Sequence, residues 1–450
     1  MGKYFGTDGV RAVAGQFPLT DDFICKLGYC ALKELGKYAE KENLKKQVVI
    51  ARDTRLSGPS ILEHLATGIR AAGADVLDMG VSTTPSVAAA VKQTGSVCGV
   101  VISASHNPPE FNGIKFFTAT GTKLPEDLEA NIETEIEQTQ TIPEMTGKYR
   151  VAPELVAGYK NFLISSVDRH ILRGTKVVLD CANGASHQIA PDVFRALDMQ
   201  VTVMADKNDG AHINDGVGAL YTQKMQQLVK QTGAYCGFSF DGDADRVIAS
   251  DEKGNQLDGE NIIVSSALAL QKENRLPKNK VVLTVMANLG CINYLKENGI
   301  QTELTPVGDK YVAQVLGEQG LAIGGETSGH IIFSHFANTG DGILSALQFL
   351  QFAKKSGLPM SEFAGGWKKY PCELRAVRVH KKPALDSLPG FAEGMKKLEE
   401  QLHGKGRILV RYSGTEPKLR ILVEGAEEQA VAQVAAATET LYREKTGETK

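Results

Sequence analysis

Hydrophobic and polar positions follow a recurring order along this chain. KQVVIARDTR (46–55), TKVVLDCANG (175–184) and NKVVLTVMANLG (279–290) each open on a polar entry and run into β-branched residues. Each then breaks into a polar or glycine-containing loop and a helical pattern: ILEHLATGIRAAG (61–73), IAPDVFRALDM (189–199) and CINYLKENG (291–299). A second short apolar run follows each helix, as ADVLDMG, QVTVMAD and IQTELTPVG. Strand, helix, strand at this spacing predicts βαβ units and a largely parallel sheet covered on both faces. The weak likeness among the three predicts three α/β domains of one type. After about residue 370 the pattern changes. RAVRVHKK and RILVRYSGTEPKLRILVEG read as strands, and EEQAVAQVAAATETLYREK as a terminal helix, predicting a smaller α+β domain joined through PMSEFAGGWKKYP. The expected divisions are 1–155, 156–256, 257–369 and 370–450.

The later strand of each repeat carries the chemistry. SVCGVVIS runs into Ser105-His106-Asn107-Pro108, AYCGFSF into Asp241-Gly242-Asp243-Ala244-Asp245-Arg246, and LAI into Gly324-Gly325-Glu326-Thr327-Ser328-Gly329-His330. Ligands of open α/β sheets bind beyond the carboxyl ends of strands, so three polar loops at such positions are expected to face one cleft.

Composition narrows the class. With 450 residues the chain exceeds one ordinary core, and 42% hydrophobic with 23% charged residues is that of a soluble globular protein. A net charge of −3 offers no global basic surface, which argues against nucleic acid as a main partner. The seven cysteines (25, 30, 98, 181, 236, 291, 372) are scattered without a CxxC pair, so neither a disulfide framework nor a zinc site is expected. MGKYFGTDGV lacks a secretory apolar region, Gly6 stands where a myristoylation signal needs Ser or Thr, and no run is long enough to span a bilayer. No membrane association and a cytoplasmic location are the expectation.

Asp241, Asp243 and Asp245 are separated only by Gly242 and Ala244. Three carboxylates this close repel one another unless a cation neutralises them, and hard oxygen ligands suit Mg²⁺ or Ca²⁺. An EF-hand count from Asp241 places Glu252 at position 12, but Arg246 stands at position 6 where that loop needs glycine, and the preceding segment is strand-like. Mg²⁺ serving phosphate chemistry is the better reading. Three carboxylates leave coordination positions open for water or a phosphate oxygen, and a phosphate on Ser105 would supply one. Ser105 is therefore read as a phosphate carrier.

RYSGTEPKLR (411–420) offers Arg411, Ser413, Gly414, Thr415 and Arg420 as a phosphate cradle of N–H groups, hydroxyls and guanidinium forks. Glu326 and Ser328 are candidate ligands for sugar hydroxyls. No Walker A sequence and no GxGxxG after a strand occurs, so ATP and NAD are not indicated.

Taken in order, GTDGVR, SASHNP, DGDADR, GGETSGH and RYSGTEP span nearly the whole chain and resemble the α-D-phosphohexomutase superfamily. Within it, GTDGVR, ISASHNP, NGIKFF and RYSGTEP are most similar to the bacterial phosphoglucosamine mutases. The resemblance implies four domains around a central cleft and a cytoplasmic enzyme interconverting glucosamine 6-phosphate and glucosamine 1-phosphate. A hexosamine 1,6-bisphosphate intermediate, which also serves as activator, turns around in the cleft, and the product feeds UDP-N-acetylglucosamine and the cell wall. By matching positions, Ser105 would be the phosphoserine, and Asp241, Asp243 and Asp245 would hold Mg²⁺ with a phosphoserine oxygen. Glu326 and Ser328 would grip the sugar, and Arg411, Ser413, Gly414, Thr415 and Arg420 the distal phosphate. Arg11, His106, Lys115, Arg246 and His330 would surround the reacting phosphate, with Lys115 and His330 the candidates for general acid/base work.

Three positions depart from that pattern: Ala12 follows GTDGVR where glycine is usual, Thr327 stands for glutamine, and Lys310 for arginine. The rival readings are a phosphomannomutase or phosphoglucomutase with the same mechanism, and a silent sugar-phosphate-binding protein. The sequence leaves the oligomeric state open, a homodimer included.

Overall fold

A computed structural model of the chain describes residues 2–6, 8–413 and 417–448, so Gly414 and Thr415 lie outside the described residues. The chain forms two compact units, Met1–Met286 with Ile300–Gly366, and Ala287–Gly299 with Trp367–Lys450.

The first unit holds three sheets built to one plan. Strands β1 (Val10–Val13), β2 (Lys45–Arg52), β3 (Asp75–Val81), β4 (Ser96–Ile102), β5 (Phe111–Thr118) and β6 (Tyr149–Val151) lie in the order β1-β5-β4-β2-β3-β6. The β4, β2, β3 and β6 neighbours are parallel, whereas β5 runs antiparallel to both β4 and β1. Next come β7 (Lys176–Asp180), β8 (Gln200–Met204), β9 (Cys236–Phe240), β10 (Val247–Asp251) and β11 (Gln256–Leu257), in the order β11-β10-β9-β7-β8. The third sheet comprises β12 (Lys280–Thr284), β13 (Gln301–Thr305), β14 (Ile323–Gly325) and β15 (Ile331–Phe333), ordered β13-β12-β14-β15.

In each sheet a parallel strand turns back into an antiparallel neighbour: β4 into β5, β9 into β10, and β14 into β15. The loops carrying Ser105, the three aspartates and Glu326 are these three connections. A strand covered on both faces shows no polar alternation, and every residue of β4, β9 and β10 is buried accordingly. Helices press close where side chains are absent. A Cβ on Gly99 of β4 would meet Val91 Cγ2 at 2.5 Å, and one on Gly68 would meet the Cys25 carbonyl oxygen at 1.9 Å, which fits the helices Asp21–Lys41 and Gly58–Ala71 together.

The second unit is built on β16 (Cys372–Arg378), β17 (Gly406–Tyr412) and β18 (Lys418–Gly425), an antiparallel sheet ordered β16-β18-β17. Its core gathers Val377, Leu419, Ile421, Val423, Val434 and Tyr442. The segment that reads as the helix of the third repeat, Leu289–Glu297, belongs to this unit. Asn288 Nδ2 donates to the Tyr370 carbonyl at 3.0 Å, and a Cβ on Gly290 would meet the Lys368 carbonyl oxygen at 2.4 Å. No helix among the described residues is long and apolar enough to cross a membrane.

The helix Gly342–Ser356 is buried on all sides from Gly342 to Ala353, and Asp341 caps it by accepting from Leu344 N at 2.9 Å. Tyr159 Oη donates to the other Asp341 oxygen at 2.8 Å. Burial raises the Asp341 carboxyl to about 6, above its free value of 3.8, so the fold favours the neutral form. That contribution is complete below pH 3.8 and is lost as pH rises through 6, with a ceiling on the order of 3 kcal/mol. Asp341→Asn keeps an oxygen for the cap and cannot ionise. Unfolding midpoints measured from pH 4 to 7 are expected to fall less steeply in this variant than in the unaltered protein.

Candidate active site

The β4–β5 loop turns sharply at Ser105, whose φ is +52° and which is 1% exposed. A residue with a Cβ in the left-handed region costs about 1–3 kcal/mol, and surrounding bonds must hold it there. Ser105 Oγ donates to Asp241 Oδ2 at 2.6 Å and lies 3.1 Å from His106 Nδ1. The β9–β10 hairpin turns through Asp241, Gly242, Asp243, Ala244 and Asp245, and its three carboxylates are buried. A Cβ on Gly242 would meet the Ser105 carbonyl oxygen at 2.5 Å, so the two loops are in direct contact.

One oxygen from each of Asp241, Asp243 and Asp245 lies within 4.8 Å of the others. Burial, then the charges of Asp245 and Asp243, push the Asp241 carboxyl well above its usual range. Burial opposes ionisation of Asp245 too, but Lys115, His330 and Arg246 hold it well below the usual range. Among the described residues Asp243 Oδ1 and Asp245 Oδ1 have no hydrogen-bond partner although buried. Buried, mutually repelling, incompletely satisfied carboxylate oxygens are the donor set of a hard divalent cation, and this group could hold one.

Cations already present are shared around a ring. Lys115 Nζ, on a side chain 2% exposed, lies 2.8 Å from Asp243 Oδ2, 3.0 Å from Asp8 Oδ2 and 3.7 Å from Asp245 Oδ2. These carboxylates outweigh burial and raise its pKa. Lys123 Nζ bridges Asp8 Oδ1 at 2.6 Å and Asp309 Oδ2 at 2.7 Å. His330 closes the ring, with Nε2 3.3 Å from Asp309 Oδ2 and Nδ1 3.7 Å from Asp245 Oδ2. Burial opposes a charge on His330, but Asp309 and Asp245 on its two sides raise its pKa, and Gly340 N lies 3.0 Å from Nε2. Arg11 pairs with Asp8, and Thr84 Oγ1 donates to Asp243 Oδ2 at 2.7 Å. Burial, helped by Arg246 and Arg11, lowers the His106 pKa to about 4, so this imidazole is neutral near pH 7.

The β14–β15 hairpin is tied to the aspartate hairpin by a backbone bridge between Arg246 and His330, and Val247 N donates to the Gly329 carbonyl at 3.0 Å. Glu326 accepts from Gly308 N at 3.1 Å and from Ser328 Oγ at 3.3 Å. Thr327 spends its hydroxyl elsewhere, on Glu260 Oε1 at 2.6 Å. Lys310 pairs with Glu126 and lies over the Tyr311 ring, and Ala12 sits in β1 opposite Asn112.

Ser105, His106, Lys115, Arg11, Arg246, His330 and the three aspartates therefore come together in the first unit, with Glu326 and Ser328 on the adjoining hairpin. In the second unit Arg411 of β17 stands opposite Arg420 of β18, and Ser413 N donates to the Lys418 carbonyl at 2.8 Å. Asp8, Thr84, Lys123 and Asp309 escaped the sequence reading. Asp8 lies inside GTDGVR and Asp309 inside VGDKYV, but nothing local marks them as partners of one lysine.

Four family models match the chain: phosphoglucomutase/phosphomannomutase alpha/beta/alpha domain I at residues 2–142, domain II at 156–254, domain III at 258–370, and the C-terminal domain at 374–441. The fold is similar to that of a phosphoglucomutase/phosphomannomutase family protein from Burkholderia thailandensis, with a TM-score of 0.81, 22% identity, and 100% of this chain and 99% of that chain covered. It is also similar to Aspergillus fumigatus N-acetylphosphoglucosamine mutase in complex with GlcNAc-6P and magnesium, at a TM-score of 0.68, 17% identity, and 98% and 96% coverage. The fold and its four matched domains make this chain a member of the α-D-phosphohexomutase superfamily, a group of enzymes that are intramolecular phosphotransferases. A phosphoglucosamine mutase from Caldicellulosiruptor bescii is 41% identical over 454 residues, covering 99% of this chain and 100% of that protein. The chain belongs to the phosphoglucosamine mutase family.

The carboxylate cluster leads to a direct expectation. A divalent cation, titrated as Mg²⁺ or Ca²⁺ into protein stripped with chelator, should raise the unfolding midpoint. The gain is about 2.7 kcal/mol at 100 times Kd. Asp243→Asn should remove most of that shift, read by scanning calorimetry.

Proposed function

We infer that this protein interconverts glucosamine 6-phosphate and glucosamine 1-phosphate through a phosphoserine at Ser105. The observation that carries the chemistry is Ser105 Oγ, buried and 2.6 Å from Asp241 within a group of three carboxylates. The identity of the sugar rests on the 41% likeness to a phosphoglucosamine mutase over the whole chain.

In the forward half-reaction the bond between phosphorus and Ser105 Oγ breaks, and one forms to the hydroxyl at carbon 1 of glucosamine 6-phosphate. That hydroxyl's proton passes to a base, an acid returns a proton to Ser105 Oγ, and a hexosamine 1,6-bisphosphate results. After the sugar turns, the phosphate at carbon 6 returns to Ser105 and glucosamine 1-phosphate leaves. Asp241, Asp243 and Asp245 would hold Mg²⁺ with a phosphoserine oxygen, and the bound cation neutralises charge on the transferring group. Lys115, ringed by carboxylates of both neighbouring loops, and Arg246 present fixed positive charge to the same oxygens. We assign the proton of the sugar hydroxyl to His330 and the proton returned to Ser105 Oγ to Lys115, which its carboxylate neighbours keep charged, while Arg11 and His106 are assigned to the surroundings of the reacting phosphate. Glu326 and Ser328 would take sugar hydroxyls. With Thr327 committed to Glu260, its departure from the usual residue leaves those two contacts in place. In the second unit, two arginines facing each other across β17 and β18 favour an anion between them, and Arg411, Ser413 and Arg420, with Gly414 and Thr415, are assigned to the substrate's other phosphate. Buried cysteine thiols, as at Cys98, Cys181 and Cys236, suit a reducing cytoplasm, and the product would feed UDP-N-acetylglucosamine synthesis.

Phosphorus NMR with Mg²⁺ and a trace of sugar bisphosphate tests this directly. Glucosamine 6-phosphate should yield its 1-phosphate faster than glucose or mannose 6-phosphate, and a faster glucose or mannose reaction would overturn the sugar assignment. Ser105→Ala should abolish turnover. His330→Asn and Lys115→Met should each lower kcat by ~10²–10⁴-fold if they handle the proton.

A further inference from the structure

The segment ARDTR, at the end of β2, lies in a motif that the chemistry above leaves unused. Its Arg55 is a fully buried arginine. All five N–H groups of its guanidinium are occupied. Nε donates to Asp53 Oδ2 at 2.9 Å, Nη1 to the carbonyls of Pro108 and Phe111, and Nη2 to those of Ser105 at 3.0 Å and Asn107 at 2.8 Å. Four of the five bonds therefore end on the backbone of the loop that carries the reactive serine.

The same two central carbonyls are gripped a second time from the neighbouring sheet's loops. Asn214 Nδ2 donates to Ser105 O at 2.9 Å and to Asn107 O at 3.2 Å. Asn214 is buried, and its own backbone N–H is anchored on the Ala182 carbonyl at 3.0 Å. The other side of Ser105 is fixed through Asp53. Ser103 Oγ donates to Asp53 Oδ2 at 2.6 Å and accepts from Ser105 N at 2.9 Å. Ser105 is thus held at its N–H through Asp53 and at its carbonyl by Arg55 and Asn214, in a backbone conformation that a serine does not adopt unaided.

We propose that Arg55 and Asn214 are positioning residues for phosphoryl transfer, forming a two-sided clamp on the Ser105 and Asn107 carbonyls that sets where the serine oxygen stands relative to the Asp241 hairpin. Arg55 references the loop to its own sheet, and Asn214 references it to the sheet that bears the carboxylates. Lysine cannot replace Arg55, since one ammonium offers three donors from a single point where a planar fork spans four carbonyls. Misplacing a reacting atom by about 1 Å costs on the order of 10²-fold in rate.

The inference rests on Ser105 being the phosphate carrier, so Ser105→Ala is measured beside the clamp variants. Arg55→Lys should give folded protein with kcat lower by about 10²-fold and KM within a few-fold, and the phosphoserine phosphorus resonance should shift or broaden. Asn214→Ala removes only one side of the clamp and is expected to lower kcat about tenfold, with Arg55 still in place. The two losses should be non-additive in the double variant, as for groups acting on one element. Wild-type kcat in folded Arg55→Lys or in Asn214→Ala, with only the melting temperature reduced, overturns the clamp. Should Arg55→Lys fail to fold, Asn214→Ala decides alone. Turnover in Ser105→Ala would instead sink the phosphoserine reading itself.

Discussion

Mutual repulsion among Asp241, Asp243 and Asp245 is the constraint around which the first unit is organised. Three buried carboxylates on five consecutive residues are unfavourable by themselves, and the surrounding elements supply what offsets them. Lys115 arrives from β5, Thr84 from the start of a helix in the first sheet's layer, and His330 from the β14–β15 hairpin. Each comes from a different part of the chain, so the cluster works as a fastening as well as a centre of charge. Asp8, Lys123 and Asp309 extend it into a closed circuit of alternating sign. The hydroxyl of Ser105 leans on one oxygen of Asp241, and the Arg246 backbone N–H on the other.

Much of this was legible in the residue order, and what escaped did so for physical reasons. The three β-branched openings became β2, β7 and β12, each with the helix and second strand that its spacing implied. The antiparallel returns β5, β10 and β15 were harder to see. Strands buried on both faces read as plain apolar runs, and β10 is buried at every residue. The third helix, 291–299, has the length and pattern of a crossover, but its capping and packing partners are Tyr370 and Lys368, residues the local pattern does not mention.

The site followed the same rule. Ser105 and the aspartates announce themselves because each stands in a short loop whose own residues carry the chemistry. Lys123 and Asp309 stand 186 positions apart, and each alone is an ordinary charged residue. Arg55 is the clearest case. An arginine after a strand suggests a solvated end, and only the folded chain reveals that its partners are loop carbonyls some 50 residues away. Charge pairing and carbonyl recognition across long separations leave no periodicity to read.

The recurrence of one antiparallel return in three sheets has a bearing on how such enzymes diverge. The strands flanking β14–β15 are buried and paired along their length, whereas Glu326, Thr327 and Ser328 occupy only the tip. A tip can be rewritten without disturbing the ladder beneath it. Substitutions confined to that tip would leave in place the ladder beneath it, His330 at its foot, and the two other hairpins that carry Ser105 and the aspartates.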